Sequence, residues 1–494
     1  MAPTKTSKRS ALRGASPAPK RARQVHVSAL ALLHLKGRLP DVNTIPKPKT
    51  EPLDIFVWGS GAMCELGLGP EAKTKEVKRP RRNPLLNDGA LGEGVHVVDF
   101  AAGGMHTLVL DSNNNLWSWG TNDYGVLGRD TSGAEVLKTI DGDDSDDEDA
   151  SLNPKESTPG KVEGLPKGIA IVGLAATDNL SAVILDNGDV WAWGGFRNNE
   201  GVLGFLRLDK LERTPRKINE LTNICQLAAG KDHLLAVDTK GVVFAWGNGQ
   251  QNQLGRKVMP RHVLRTLEPQ PFGLYNIKYI ALGDFHCFAV DHDDHVYAWG
   301  LNQYGQCGVD VAEGGLRDGD MLPHPTLVNR LTNKGVSQIA GGEHHTIFLT
   351  ELGDVYTSGR VDMKEVGIAE DKYPEYAYKD DHGRVRAIPM PTKVQVGKQT
   401  SFKCKAIGAG SHQSYAVTED GMVYAWGFAD TYALGLGNLD DDIEVPTRIH
   451  NTATKDEDIV KVDGGGQFAI SGGVKLAEKA AEDRLEKYED DDDE

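Results

Sequence analysis

The sequence predicts an all-β fold, a seven-bladed β-propeller in which strands from both ends of the chain complete one blade. Three observations support this prediction. Short alternating apolar runs recur every 53–74 residues, which leaves room for about four short strands per copy. Most copies begin with a small-small-Gly step and a histidine and end in Trp-Gly and then Leu-Gly. The first end has no beginning before it and the last beginning has no end after it, so one unit is split between the termini.

Seven ends and seven beginnings can be counted. The ends lie at Trp58, Trp119, Trp193, Trp246, Trp299 and Trp426, with a degraded copy at Tyr356–Gly359. The beginnings lie at Asp99–Thr107, Leu174–Ser181, Leu227–Leu234, Ala281–Cys287, Ala340–Thr346, Ile407–Ser414 and Val462–Ala469. Radially arranged blades protect most strand edges, and a shared blade would clasp the ring shut.

The predicted propeller spans residues 51–473 and carries tails at both ends. Residues 1–50 are rich in Pro, Ser and Lys and predict a disordered basic tail. The acidic run Asp141–Asp149 predicts an inserted flexible loop. Residues 474–494 predict a short helix followed by the acidic end Glu489–Glu494.

Charge and cysteine content exclude several classes of protein. The net charge is −16, and about −10 of it belongs to the chain outside its charged tracts, so we expect no bulk affinity of the body for nucleic acid. The five cysteines are scattered and never spaced Cys-x-x-Cys, which argues against a disulfide framework or zinc site and favours small buried side chains in a reducing compartment. No apolar run approaches the roughly 18 residues of a membrane helix. We expect a soluble, intracellular monomer with no metal and no cofactor.

Two basic clusters in the N-terminal tail fit a bipartite nuclear-import signal. They comprise Lys8 and Arg9, then Lys20, Arg21 and Arg23. Such a signal places its cations in acidic pockets of an import receptor. The alternatives are a solubilising tail, or cations that contact phosphates or the acidic surface of histones.

Comparison of the copies separates framework positions from candidate functional positions. His106, His233, His286 and His345 share one column, as expected of structural hydrogen-bonding groups. Tryptophans at the unit ends are expected to pack between blades. We expect the glycine of the opening half, such as Gly103, to supply a backbone conformation that other residues adopt only at a cost.

The column before these histidines varies from copy to copy, which suits a binding surface at one rim of the ring. It reads Met105, Asn179, Asp232, Phe285, His344, His412 and Gln467. After Trp193-Gly194 the chain is two residues longer than after Trp119-Gly120. This predicts an Asn-rich turn that projects an exposed Phe196 and Arg197.

The repeats, the basic tail and the segment GGFRNNEGVLG (194–204) together resemble the regulator of chromosome condensation, the nuclear exchange factor for the Ran GTPase. The resemblance covers Asp54 to Ser471. It implies that one propeller face binds Ran and that a β-wedge presses near the phosphate-binding loop of the GTPase. The wedge corresponds here to Phe196, Arg197, Asn198, Asn199, Glu200 and Gly201.

The same resemblance implies that acidic and histidine side chains contribute to exchange. They match Asp178, Asp232, His344 and His345 in this chain. Phe468 stands where the family has His, and Ala62 where an acid is common. The basic residues Arg256, Lys257, Arg261 and Arg265 are candidates for nucleosome contacts, or else belong to a solvated loop.

Two rival functions stay open at this point. One is a chromatin adaptor that docks on histones or nucleosomal DNA without acting on a GTPase. The other is a hydrolase built on a propeller, but the sequence contains no phosphate loop, no His-Glu-x-x-His and no Gly-x-Ser-x-Gly.

Overall fold

The computed structural model describes residues 39–71, 73, 75–134, 152–206, 210–309, 320–397 and 402–477. The chain divides into two units, 1–40 and 41–494, and of the first only Leu39 and Pro40 are described. The predicted import signal, the acidic loop 141–149 and the acidic end 489–494 lie outside the described residues. Within the described ranges, no helix is both long and apolar enough to span a bilayer.

Seven antiparallel sheets form the blades, which we number 1 to 6 in chain order with a closing blade between blades 6 and 1. Blade 1 contains β3 (Val97–Ala102), β4 (His106–Asp111), β5 (Leu116–Gly120) and β6 (Gly160–Lys161). Blade 2 contains β7 (Ile171–Ala176), β8 (Leu180–Leu185), β9 (Val190–Gly194) and β12 (Glu212–Lys217). Blade 3 contains β13 (Ile224–Ala229), β14 (His233–Asp238), β15 (Val243–Gly247) and β16 (Gln270–Pro271). Blade 4 contains β17 (Ile277–Leu282), β18 (His286–Asp291), β19 (Val296–Leu301) and β20 (Met321–Leu327). Blade 5 contains β21 (Val336–Gly341), β22 (His345–Thr350), β23 (Val355–Arg360), β24 (Tyr378–Lys379) and β25 (Val385–Lys393). Blade 6 contains β26 (Cys404–Ala409), β27 (Gln413–Thr418), β28 (Val423–Gly427) and β29 (Ile443–Arg448).

The closing blade confirms the predicted clasp. Its strands are β1 (Asp54–Ser60), β2 (Glu76–Arg82), β30 (Glu457–Gly464) and β31 (Phe468–Lys475), in the order β2-β1-β31-β30. β1 pairs with β31 along its length, from Asp54 opposite Gly473 to Gly59 opposite Phe468. β31 continues to Lys475, so Val474 and Lys475 belong to the sheet and not to the predicted C-terminal helix.

Among the described residues, helices are few and short. They are the α-helix Pro154–Ser157 and the 3₁₀ helices Pro260–Leu267, Asn329–Leu331 and Glu370–Lys372. Burial follows the position of each strand: all six residues of β4 are buried between neighbouring blades, whereas the outer strand β12 is largely exposed. The outer strands β2, β12, β20 and β29 each contain a proline, which lacks the N–H that a further strand would need and so blunts the edge.

The unit-end tryptophans bridge neighbouring blades, as predicted. All six are fully buried. Five indole Nε1 groups donate to a carbonyl of the preceding blade: Trp58 to Ala433, Trp119 to Glu65, Trp193 to Val126, Trp299 to Gln253 and Trp426 to Glu365, over 2.6–2.9 Å. Each such bond is buried, so its loss leaves an unpaired polar group.

The histidine column also links blades. His106 Nε2 lies 2.8 Å from Ser181 Oγ, His233 Nε2 lies 3.1 Å from Cys287 Sγ and His286 Nε2 lies 2.7 Å from Thr346 Oγ1. The expected special backbone at Gly103 is wrong, because its φ is not positive. Glycine is needed there for space: an added Cβ would lie 2.3 Å from the Thr177 carbonyl and 2.7 Å from the His106 ring.

Residues 41–50 are ordered along the propeller, contrary to the predicted disorder of this part of the tail. The backbone N–H groups of Val42 and Asn43 donate to the Thr239 carbonyl at 2.7 and 2.9 Å. Asn43 Nδ2 donates to the Ile277 carbonyl, and Lys49 forms an ion pair with Asp99 at 2.9 Å. Composition predicted disorder, but this segment binds the hairpin turn at Thr239 and the strand residues Ile277 and Asp99.

Candidate functional site

The loops that follow the Trp-Gly pairs lie on one face of the ring, which we call the loop face. In every blade the second residue after Trp, or its counterpart in blade 5, donates its N–H to the carbonyl of the residue before the histidine column. The pairs are Ser60–Gln467, Thr121–Met105, Gly195–Asn179, Asn248–Asp232, Leu301–Phe285, Arg360–His344 and Phe428–His412, at 2.8–3.1 Å. The predicted placement of the variable column at one rim is therefore confirmed.

The longer segment after Trp193 forms an extra hairpin on this face. Its strands are β10 (Phe196–Asn198) and β11 (Gly201–Gly204), and we call it the inserted hairpin. At the turn, Asn198 Oδ1 accepts the N–H of Glu200 at 2.9 Å. Arg197, Asn199 and Glu200 are exposed. The side chain of Val202 is 53% exposed and adds an apolar group that the sequence interpretation missed.

Phe196 is not exposed, so that prediction was wrong. Only 1% of the residue is accessible, and its ring lies against blade 3, where an added Cβ on Gly247 would be 2.8 Å from Phe196 Cε1. Phe196 therefore anchors the hairpin, while the polar residues and Val202 face solvent.

Asp232 fixes the base of the inserted hairpin. Its Oδ1 accepts the backbone N–H of Arg197 at 3.0 Å and the side-chain amide of Asn179 at 3.1 Å. Burial raises the pKa of the Asp232 carboxyl, and the two donors oppose this shift. Asp232 thus positions the hairpin from the neighbouring blade.

The inserted hairpin has displaced a framework contact. Trp246 is the one unit-end tryptophan whose buried Nε1 finds no acceptor among the described residues. Its acceptor would come from the preceding unit end, which in this copy is the inserted hairpin. A buried unsatisfied donor costs about 1–3 kcal/mol, so the fold tolerates this insertion at a cost.

A second group of polar side chains lies on the loop face at blades 4 to 6. Glu343 places its two carboxylate oxygens 3.9 Å from His344 Nε2 and 3.4 Å from His412 Nε2. Arg360 lies 3.2 Å from His412 Nδ1 and forms an ion pair with the buried Glu365. Burial lowers the pKa of both His344 and His412. The negative charge of Glu343 opposes this shift, and the positive charge of Arg360 adds to it. Both are therefore neutral at pH 7 and can accept hydrogen bonds.

His344 and His345 have different positions. The His344 ring lies 4.9 Å from the Tyr304 ring, centroid to centroid and tilted by 51°, and His344 is partly accessible. His345 belongs to the structural column and is fully buried, so it cannot touch a partner at the surface. Their surroundings differ because His345 begins strand β22, whereas His344 lies in the bend before it.

Asp178 lies at the mouth of the axial channel, a cavity of about 1030 Å³ lined by the first strand of every blade. Lys231 Nζ is 3.9 Å from Asp178 Oδ2. Burial, then the nearby charge of Asp284, raises the pKa of Asp178, and Lys231 opposes the shift. The position of Asp178 is occupied in the next three blades by Lys231, Asp284 and Glu343. Alignment of the sequence copies would therefore have identified this second column of charged residues.

Comparison with known proteins identifies the family. A family model described as the RCC1-like domain matches residues 54–471. The chain belongs to the RCC1-like domain family. It is 54% identical to the guanine nucleotide exchange factor SRM1 of Saccharomyces cerevisiae, over 89% of this chain and 91% of the relative.

Solved structures agree with this assignment. The RCC1-like propeller matches a crystal structure of Prp20p from Saccharomyces cerevisiae, reported with its binding to Gsp1p and histones, at 51% identity and a TM-score of 0.81 over 90% of this chain and 97% of that chain. It also matches a structure of Kap60 bound to yeast RCC1 (Prp20) at 47% identity and a TM-score of 0.81, over 98% and 99% of the two chains.

The two departures from the family pattern have different surroundings. Phe468 is fully buried in the histidine column. Thr107 of blade 1 occupies the position at which Ser181 and Thr346 bind a histidine of the preceding blade. Its Oγ1 has no partner among the described residues. Ala62 is exposed on the loop after Trp58. The departure at 468 therefore changes a framework contact, whereas that at 62 removes a charge from the loop face.

The predicted basic group of this RCC1-like propeller splits into two kinds of residue. Arg256 donates to the Ala245 carbonyl at 3.2 Å and repeats the role of Arg129, which donates to the Ser118 carbonyl. Burial lowers the pKa of Arg256 to about 10. Arg256 is therefore a framework residue, while Lys257, Arg261 and Arg265 are exposed.

Asp291, Asp293 and His295 bring three metal-ligating side chains together. Asp291 Oδ1 accepts the N–H groups of Asp293 and His295, which closes the hairpin turn. Asp111 makes the same turn in blade 1 with asparagines. We assign the group to turn formation.

Proposed function

We propose that this protein is a guanine-nucleotide exchange factor for the Ran GTPase, which binds Ran on the loop face and inserts the hairpin 196–204 as a wedge. The observation that carries this proposal is the inserted hairpin itself, held by Asp232 and tolerated although Trp246 Nε1 has no acceptor among the residues that the structure describes. The relative named as a guanine nucleotide exchange factor supports the activity. Binding of Prp20p to Gsp1p supports a GTPase as partner.

Exchange follows from linkage between two ligands of the GTPase. A GTPase holds its nucleotide through backbone amides, a lysine and Mg²⁺ around the phosphates. A protein that binds the nucleotide-free form more tightly must weaken nucleotide binding by the same factor. This mechanism uses no covalent chemistry on either protein, and the nucleotide that rebinds is set by the excess of GTP in the cell.

The residues of the loop face have separate roles in this proposal. The exposed side of the hairpin, Arg197 to Gly201, displaces the phosphate-binding region of Ran. Asp232 keeps the hairpin in place, and Asp178 and the neutral His344 bind basic or donor groups of the GTPase. His345 supports His344 from within the blade.

The nuclear partners belong to the same proposal. The tail cations Lys8, Arg9, Lys20, Arg21 and Arg23 bind a nuclear import receptor, in line with the complex of Kap60 with the yeast relative. The tail and the exposed Lys257, Arg261 and Arg265 bind histones or nucleosomal DNA, in line with the histone binding of Prp20p. The protein acts as a monomer in the nucleus, on chromatin.

The decisive measurement is release of a fluorescent guanine nucleotide from Ran at substoichiometric concentrations of this protein. We expect many turnovers per molecule. Absence of acceleration would contradict exchange and leave the chromatin adaptor as the function. Nucleosome binding by the Arg261→Ala/Arg265→Ala variant, which keeps Arg256, tests the chromatin contact separately: we expect weaker binding with exchange unchanged.

A further inference from the structure

The loop face has an apolar part that neither the inserted hairpin nor the polar group at blades 4 to 6 includes. Met63 and Met105 are 50% and 41% exposed, although large apolar side chains are usually buried. They are neighbours, since Thr121 donates its hydroxyl to the Met63 carbonyl at 3.0 Å and its N–H to the Met105 carbonyl at 3.0 Å.

Met63 is held by its own loop. Glu65 Oε2 accepts the Met63 N–H at 2.7 Å, and Cys64 adopts a positive φ of 71°. Burial raises the pKa of Glu65 to about 7. A backbone fixed in this way presents Met63 before any partner arrives, so little ordering of the backbone opposes binding.

One carboxylate borders the two methionines: an added Cβ on Gly104, beside Met105, would lie 2.2 Å from Asp178 Oδ1. The positions that hold Asp178, Lys231, Asp284 and Glu343 in other blades hold Gly104 in blade 1 and Gly466 in the closing blade. Ala62, beside Met63, is exposed and uncharged. An apolar partner surface can therefore cover the two methionines where it leaves the Asp178 carboxylate, paired with Lys231, in water, because burying an unpaired charge would be costly.

We propose that Met63 and Met105 form an apolar anchor that binds an apolar patch on the GTPase. This inference rests on the proposed function, and its occupant follows from continuity with the loop face that carries the inserted hairpin. Methionine suits a surface that must adapt to a partner which changes conformation, because its side chain is flexible and polarisable. The anchor contributes affinity in every state of the partner, whereas the hairpin acts on the nucleotide site.

The test compares exchange kinetics of the full-length protein with its Met63→Gln/Met105→Gln variant over a range of GTPase concentrations. Uniform loss of binding raises KM and leaves kcat unchanged. We expect KM to rise about tenfold or more. The Met63→Leu/Met105→Leu variant, which keeps apolar surface, should restore KM to within about threefold.

Leu352→Gln is the matched control. Leu352 is 73% exposed and lies on the turn between β22 and β23, at the face opposite the loops, so its substitution should leave KM and kcat unchanged. An unchanged KM in the methionine-to-glutamine variant, or an equal rise of KM in the Leu352 control, would overturn the anchor. The proposed function would still stand in that case, provided that the wild-type protein catalyses exchange. Absence of exchange by the wild-type protein would contradict the proposed function, and the anchor with it.

Discussion

The loop after Trp119 and the inserted hairpin after Trp193 are two versions of one segment. The first is compact and supplies the carbonyl of Val126 to Trp193 in the next blade. The second is two residues longer, projects Val202 and Arg197, and leaves Trp246 without an acceptor among the described residues. The regular copy stabilises the ring, and the longer copy gives up a stabilising contact to present a surface.

This difference predicts two classes of variant. Changes at repeated positions should reduce stability and leave exchange intact, because those side chains link blades. Changes at the inserted hairpin should reduce exchange and leave stability intact, because its outer residues face solvent. The predictions below compare the two classes.

The histidine column of the regular blades predicts the largest effect. Burial lowers the pKa of His106, His233 and His286 to about 3, whereas an unfolded histidine titrates near 6.5. Between these values the unfolded chain binds more protons, so stability falls as pH drops from about 6.5 toward 3. Three such groups remove about 4 kcal/mol for each pH unit. Denaturant unfolding at pH 7.0 and 5.5 measures this loss.

Blade 2, which carries the inserted hairpin, provides the control. Its column residue is Leu180, fully buried, so a leucine fits this position. The column has a fourth histidine, His345, whose pKa burial also lowers, so His233→Leu should lower the pH dependence by about a quarter at most. An unchanged pH dependence would show that these histidines do not carry it.

The inserted hairpin predicts the largest effect on exchange. Deletion of Asn198–Glu200 removes the turn while Phe196 keeps its buried contact with blade 3. We expect nucleotide release from Ran to slow by about 100-fold, or about 2.7 kcal/mol, with the unfolding midpoint little changed. Normal exchange by a folded deletion variant would contradict the role of the hairpin as the wedge.

Asp232 connects the two classes, since it lies in blade 3 directly before the column residue His233 and holds the hairpin. Asp232→Ala leaves the Arg197 N–H and the Asn179 amide without their acceptor. We expect exchange to fall by about 10–30-fold and stability by about 1–3 kcal/mol. Asp232→Asn keeps one acceptor oxygen and should recover much of the lost exchange and much of the lost stability. If Asp232→Asn lost as much exchange as Asp232→Ala, the function of Asp232 would depend on its charge and not on the position of the hairpin.

The fold could be predicted from sequence because repetition multiplies weak signals. One Trp-Gly pair carries little information, but seven copies with a split unit specify both the blade number and the closing blade. The variable column was found in the same way, and its shared hydrogen bond in all blades confirms it. The positions of Asp232 and His344 on the loop face therefore followed from the sequence.

The contacts of single side chains did not follow from it. Phe196 and Arg256 sit in polar loops, where composition predicts exposure, yet each reaches back to a neighbouring strand. Residues 41–50 resemble a disordered tail until the hairpin turns that bind Asn43 are known. For Phe196 and Asn43 the partner is distant in sequence and belongs to no repeated pattern, whereas the bond of Arg256 to the Ala245 carbonyl repeats that of Arg129 to the Ser118 carbonyl.

The smallest predicted effect compares the two tryptophans directly. Trp119→Phe removes the bond from the indole to the Glu65 carbonyl, whereas Trp246→Phe removes an indole N–H that has no acceptor among the described residues. Both substitutions lose similar apolar volume, so the difference between them isolates the hydrogen bond. We expect Trp119→Phe to destabilise the protein by about 1 kcal/mol more than Trp246→Phe, as measured by denaturant unfolding. Equal losses would mean that Trp246 has an acceptor after all, and that the inserted hairpin costs the framework nothing.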